Sequence, residues 1–217
     1  MILDSRPEPD IGASLYRRVA HPRASPNLSR VSTHLESPHA LATLTRSLHT
    51  AGRPPVVGIS GFGGSGKSTL AAELQDLLEG SVVVSSDDYL LERPPTSRSD
   101  DWSVVDRERL AREVLDEEQE AVVLVEGIGL FVPGLLERFD LTVWVDVDLD
   151  RATEQGIWRD THVWNNPQED LWHGVWKPND ADFFARYRPD LAADLLYRRP
   201  PGPTVVQPTH SPGDDED

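Results

Sequence analysis

Residues 61–69 read Gly-Phe-Gly-Gly-Ser-Gly-Lys-Ser-Thr, which satisfies G-x-x-x-x-G-K-[ST]. This motif constrains the fold because it works in one setting only, with a strand entering the loop and a helix leaving it. Val56-Val57-Gly58-Ile59 is a short apolar run that leads into the glycines, and Leu70, Leu74, Leu77 and Leu78 then share one helical face from Ser68 to Leu78. Gly61, Gly63, Gly64 and Gly66 let the backbone curl, so that the amides from Phe62 through Ser65 to Thr69 can face one oxyanion with the positive helix end behind them. Lys67 reaches β- and γ-phosphates as a point charge, and the Ser68 hydroxyl can ligate a Mg²⁺ that bridges them. The loop predicts a triphosphate site. By itself it does not separate kinases from GTPases, motor ATPases or transport ATPases.

The rest of the pattern supplies the expected frame. Val82-Val83-Val84, Ala121-Val122-Val123-Leu124-Val125 and Leu141-Thr142-Val143-Trp144-Val145 have the continuous apolar character of strands covered on both faces. Helical patterns separate them: Ser37-Pro38 to Gly52, Ser68 to Leu78, about Asp106 to Leu115, and Asp148 to Asp160. Strands alternating with helices predict an α/β P-loop NTPase, three layers around a mostly parallel sheet with a helical lid at about 150–180. Ligands then gather at the carboxyl ends of the strands. Residues 37–198 form this domain. The first 36 residues, punctuated by Pro22 and Pro26, read as a flexible arm, and 199–217, opening at Arg199-Pro200-Pro201-Gly202-Pro203 and closing on acidic residues, as a disordered tail.

Composition narrows the function. The 21 basic and 37 acidic residues give a formal charge of −16, which opposes nucleic-acid phosphates and anionic membranes. With no cysteine, disulfide scaffolds, thiolate zinc sites and cysteine nucleophiles are excluded. No run approaches the roughly 20 apolar residues of a membrane span, and the start shows no secretory signal. A cytoplasmic protein without a nucleic-acid or membrane partner is expected; its oligomeric state is not legible. A guanine-specificity signature and a transporter signature are both missing, and a small phosphotransferase fits the length after the loop.

Four groups of residues then carry chemistry. Ser85-Ser86-Asp87-Asp88-Tyr89 ends the second strand, which puts Asp87 beside the loop to orient an acceptor hydroxyl and take its proton. Glu126-Gly127 closes the most apolar strand, where Glu126 can hold a Mg²⁺-bound water near Ser68. A helix from Asp148 stacks Arg151, Gln155 and Trp158/Arg159 on one side, directing Arg151 and Arg159 toward a nucleotide. Trp158, Trp164, Trp172 and Trp176 form an aromatic cluster whose expected role is mainly packing.

These residues resemble the uridine kinase-like group of P-loop kinases, which includes uridine/cytidine, nicotinamide riboside and pantothenate kinases and phosphoribulokinase. Gly58-Ile59-Ser60-Gly61 leading into Gly66-Lys67-Ser68-Thr69, Ser86-Asp87-Asp88-Tyr89, Val125-Glu126-Gly127-Ile128 and Arg159-Asp160 carry the resemblance, over about residues 55–197. It implies an ATP- and Mg²⁺-dependent kinase with Asp87 as base, Lys67 and Arg159 on the phosphates and Glu126 close to the metal. The acceptor is a small hydroxylated molecule, a nucleoside, a riboside or another metabolite, with Asp87, Tyr89, Asp101 and Trp102 on the acceptor side. The rival reading is a nucleotide-dependent switch without an acceptor. Asp101-Trp102 runs almost directly into Ser103-Val104-Val105-Asp106, as if the group's substrate segment were shortened, and Gln155 stands where the lid usually supplies an arginine. Ala193-Asp194-Leu195-Leu196 resembles the Ala-Asp before the last core strand, while periodicity alone permits a helix from Asp180.

Overall fold

The computed structural model describes residues 33–48 and 53–199. Its strands are β1 (Thr33–Leu35), β2 (Val56–Gly61), β3 (Val82–Ser85), β4 (Val123–Gly127), β5 (Leu141–Val145) and β6 (Leu195–Tyr197). They pair in the order β1-β6-β5-β2-β4-β3, every pair parallel. Parallel neighbours cannot be joined by a tight turn, so the connections carry helices. These are α1 (Pro38–Ser47), α2 (Lys67–Leu77), α3 (Arg107–Leu110), α4 (Pro133–Leu136), α5 (Leu149–His162), α6 (Glu169–Leu171), α7 (Lys177–Tyr187) and α8 (Pro189–Ala192).

Alternation along the central strand divides the core. Val57 and Ile59 pack with Leu41 of α1 and with Leu70 and Leu74 of α2. Val56 belongs to the opposite face, with Val123, Val125, Phe139 and Trp144. All six residues of β2 are buried, because β4 and β5 flank it and helices cover both sides. The strand order reverses around β2, so the crevice outside its carboxyl end is the natural ligand position. The loop of residues 61–69 opens there.

The expected elements match with three differences. The sheet takes β1 from Thr33–Leu35, inside the stretch expected to be irregular; three residues are too few to show a period. The helix expected over about 106–115 is one α-turn, Arg107–Leu110, continued by a π-helical turn, Ala111–Leu115. Between 177 and 197 both sequence readings apply in succession. Helix α7 ends where Arg188 turns left-handed at φ +44°, and β6 begins at Leu195. Asp194 fixes that start by accepting the Thr142 N–H at 2.9 Å and its hydroxyl at 2.7 Å. Residues 1–32 of the arm, the tail from 200 and the expected helix stop at Gly52 lie outside the described residues. Among the described residues no helix is long and apolar enough to cross a membrane.

Candidate active site

The loop between β2 and α2 has the backbone its glycines predict. Gly64 and Gly66 sit at φ +78° and +92°, conformations that side-chain-bearing residues rarely adopt. A Cβ on Gly64 would strike the Ala152 carbonyl of α5, whereas one on Gly66 would meet open space. The first glycine therefore serves packing and the second leaves room for a ligand. The Ser65 hydroxyl, buried in the same loop, has no hydrogen-bond partner, and a buried orphan of this kind calls for one. An oxyanion fits this loop.

Lys67 is 7% exposed and its Nζ donates to the Phe62 carbonyl at 2.8 Å. Burial pushes its pKa below the ordinary lysine value, against the pull of Glu126, Asp180 and Asp87, which favour the charge. Three carboxylates thus lie within electrostatic reach of one ammonium. Glu126, at the end of β4 and 5% exposed, accepts the Ser68 hydroxyl at 3.2 Å and the Ser85 hydroxyl at 2.8 Å. Ser68 and Glu126 are an all-oxygen donor pair beside the loop, and suit a hard cation such as Mg²⁺. Asp87 lies on the 3-10 turn Ser86–Tyr89 that continues β3; its N–H is capped by the Ser85 hydroxyl at 3.3 Å and its side chain is exposed. Asp88 points elsewhere and lies 3.7 Å from Arg93.

Helix α5 crosses the loop and supplies the opposite wall. Gln155, Arg159 and Trp164 line a cleft of about 370 Å³ with Lys67, Ser68 and Thr69. The Arg159 guanidinium stacks 3.9 Å over the Trp164 ring and donates to Asp160 at 2.8 and 3.0 Å. Asp160, 1% exposed, also accepts the Trp172 indole N–H at 2.8 Å. Trp172 occupies the space left by two glycines: a Cβ on Gly156 would collide with its ring, and one on Gly63 would approach it to 3.1 Å. Arg151 is exposed on α5 and is not among the residues lining the cleft. Trp158, also exposed, stacks on His162. A larger groove of about 560 Å³ lies between Trp144, Phe184 and Arg198. It contains none of the phosphate-loop residues Lys67, Ser68 and Thr69, which line the smaller cleft.

The segment expected on the acceptor side runs from Leu90 to Val105, and an isolated antiparallel bridge between these two closes its base. Helix α7 pins it. Asn179 donates to the Ser97 carbonyl at 3.0 Å, Arg98 donates to Asn179 and, at 2.6 Å, to Asp182, and the Trp176 indole donates to the Pro95 carbonyl at 2.6 Å. Trp102 is 2% exposed, packs with Val105 and Phe183, and gives its indole N–H to Asp180 at 3.0 Å. Tyr89 is 8% exposed beneath the Arg109 guanidinium. Partial burial works against the Asp101 carboxylate, but the Ser99 hydroxyl, at 2.7 Å, and Arg107 hold it below its ordinary value. Of the four residues expected on the acceptor side, Asp87 is exposed, Asp101 is half-buried, and Tyr89 and Trp102 are packed.

Sequence reasoning missed Asp160 and Asp180 as buried carboxylates, and missed Trp172 as the wedge between loop and lid. Asp180 carries a usable signal, because it falls on the same helical face as Phe183, Phe184 and Tyr187.

No protein-family model matches the chain, and no curated protein does. Solved structures do. The chain superimposes with a TM-score of 0.53 and 17% identity on a protein named as a possible uridine kinase from Bacillus stearothermophilus, over 74% of this chain and 96% of the other. It matches a protein named provisionally as a fructose transport system kinase from Silicibacter sp. TM1040 with a TM-score of 0.54 and 21% identity, over 75% of this chain and 99% of that one. Identity this low carries the fold and nothing finer, and the fold is the α/β P-loop NTPase architecture of these kinase-named structures.

Proposed function

We propose that the chain is a uridine kinase-like enzyme, dependent on ATP and Mg²⁺, that transfers the γ-phosphoryl group to a hydroxyl, foremost the primary 5′-hydroxyl of a nucleoside or other riboside. The observation that supports it is the convergence of a phosphate-loop lysine, a serine–glutamate oxygen pair and an exposed aspartate at the carboxyl ends of β2, β4 and β3. In the reaction the acceptor oxygen bonds to the γ-phosphorus while the bond from that phosphorus to the β–γ bridging oxygen breaks. The alcohol proton goes to Asp87 and ADP leaves.

Phosphoryl transfer has a loose transition state, so the residues act chiefly by positioning and by neutralising charge. Asp87 orients the hydroxyl and receives its proton late. Lys67 and the loop amides hold the phosphates, and Arg159, positioned by Asp160 and Trp164, meets them from the opposite wall of the cleft. Ser68 and Glu126 would hold Mg²⁺, which when bound draws charge from the phosphate oxygens.

The test is ATP consumption by purified protein against nucleosides, other ribosides, sugar phosphates and pantothenate. One acceptor class should stimulate it strongly, and Lys67→Ala should abolish the stimulation. Slow hydrolysis indifferent to every acceptor would overturn the reading in favour of a nucleotide-dependent switch.

A further inference from the structure

Asp180 is a buried carboxyl side chain in direct contact with the phosphate loop. It lies on α7, 4% exposed, and both of its oxygens accept a donor: Oδ2 takes the Gly63 N–H at 2.7 Å and Oδ1 the Trp102 indole N–H at 3.0 Å. One of these donors belongs to the phosphate loop, the other to the acceptor-side segment. Trp102 holds φ +54°, a conformation that costs a bulky residue free energy and persists only where its surroundings over-determine it. We propose that Asp180 binds a proton as a triphosphate enters the loop, exchanging its hold on the Gly63 N–H for a hydrogen bond donated to a phosphate oxygen.

The inference rests on the reading of the loop as a triphosphate site, and the surrounding charges carry it. From α2, Lys67 favours the ionised carboxylate. Beyond Lys67 stand Glu126 of β4 and Asp87 after β3. Asp101 and Arg107 flank Trp102 on the acceptor-side segment. On α5, Asp160 is paired with Arg159, and on α7 itself Lys177 pairs with Asp150 and Asp182 with Arg98. Among these charges Lys67 alone contributes to the Asp180 titration. Burial is the larger influence and pushes Asp180 up to about 6, so the neutral form is within reach near neutrality.

A triphosphate changes two things at once. It sets negative charge beside the carboxylate, and it engages the Lys67 ammonium that had favoured ionisation. Both changes favour the protonated acid. That acid donates from one oxygen and still accepts the Trp102 indole on the other, so the tie to the acceptor-side segment survives nucleotide entry. The proton comes from solvent and returns to it when nucleotide leaves.

The experiment is the dissociation constant of MgATP without acceptor, by calorimetry from pH 5.5 to 8.5, for wild type, Asp180→Asn and Trp102→Phe. Wild-type affinity should weaken above about pH 6, approaching tenfold per pH unit. Asparagine reproduces the neutral acid, with an amide to donate and a carbonyl to accept. Asp180→Asn should therefore lose most of that slope and at pH 8 bind MgATP more tightly than wild type, by up to about a hundredfold from two pH units at tenfold each. Trp102→Phe removes a donor that favours the carboxylate and should move the break to higher pH. The nucleotide's own ionisation cancels in each comparison with wild type. An Asp180→Asn protein that keeps the wild-type slope, or binds MgATP more weakly at pH 8, overturns the proposal. If Asp180→Asn does not fold, an unmoved break in Trp102→Phe overturns it. Wild-type protein that binds no MgATP at any pH overturns the triphosphate reading itself, which distinguishes that failure from this one.

Discussion

Asp87 lies within electrostatic reach of Lys67 but has different work in the proposed reaction, and substitution separates the two. As the proposed base, Asp87 would meet the alcohol and not the phosphates, so Asp87→Asn should cut turnover by about 10²–10⁴-fold, the usual reach of a general base, while MgATP affinity changes little. Lys67→Ala should lower both, because the ammonium holds the phosphates before and during transfer; single-turnover kinetics with an active acceptor, beside nucleotide titration, read the two effects apart. An Asp87→Asn protein with normal turnover removes the base from that position. Asp180 also predicts a pH dependence of folding without nucleotide. Its folded value of about 6 lies above the ordinary carboxyl value of 3.8, so the native state binds the proton more tightly than the unfolded chain. The stabilisation is complete below about pH 4 and is lost as pH rises through about 6. Denaturant unfolding across this range should show wild type losing about 3 kcal/mol relative to Asp180→Asn, from roughly two pH units at 1.36 kcal/mol each. A difference that stays constant with pH would contradict the raised value.

At the scale of elements, what matters is how α5 sits on the loop. Gly64 gives the Ala152 carbonyl room, and Gly156 gives Trp172 room, so loop, lid helix and indole meet without a side chain between them. Gly156→Ala puts a methyl into the Trp172 ring, so the indole must shift and its hydrogen bond to Asp160 with it. Overpacking of this kind costs about 1–3 kcal/mol. We expect Gly156→Ala to lower the thermal midpoint and raise the ATP concentration for half-maximal rate, since Asp160 positions Arg159; an unchanged midpoint would mean that the wedge is loose. Much of this level was legible in the sequence. Strands β2 to β5 follow from compact, continuous apolar runs, α2 from leucines at helical spacing, and α5 from Arg151, Gln155 and Arg159 stacking on one side. The cradle follows from the spacing of its glycines, and the Ser68–Glu126 contact from the rule that strand ends gather in one crevice. The docking of Trp172 between Gly63 and Gly156 is non-local, and no spacing along the chain encodes it. For the same reason Arg151, grouped with Arg159 by helical stacking, lies outside the cleft: a shared face gives direction, not reach. Trp102 reads as an acceptor contact until its indole is found spent on Asp180.

Over the whole molecule, the proposed triphosphate site lies on a protein whose formal charge is −16. Within the cleft Lys67 and Arg159 attract phosphate, but Glu126, Asp180 and Asp87 crowd the same ammonium. Beyond the cleft the net field is repulsive. The two act over different distances, because contacts inside the cleft are screened little by salt, whereas the field met during approach extends over a Debye length, about 30 Å at 0.01 M and 8 Å at 0.15 M. Added salt should thus remove more of the long-range repulsion than of the short-range attraction. We expect the association rate of MgATP to rise between 0.01 and 0.15 M salt, opposite to the trend where a protein's field steers an anion inward. Stopped-flow tryptophan fluorescence reads this directly, since Trp164 lines the cleft and is 58% exposed. Varying Mg²⁺ separates the field from other effects of salt: free ATP carries more charge than MgATP, so its association rate should climb more steeply over the same interval. A rate that falls with salt would show that the local cations govern capture from a distance, with the acidic surface too far from the entrance to matter.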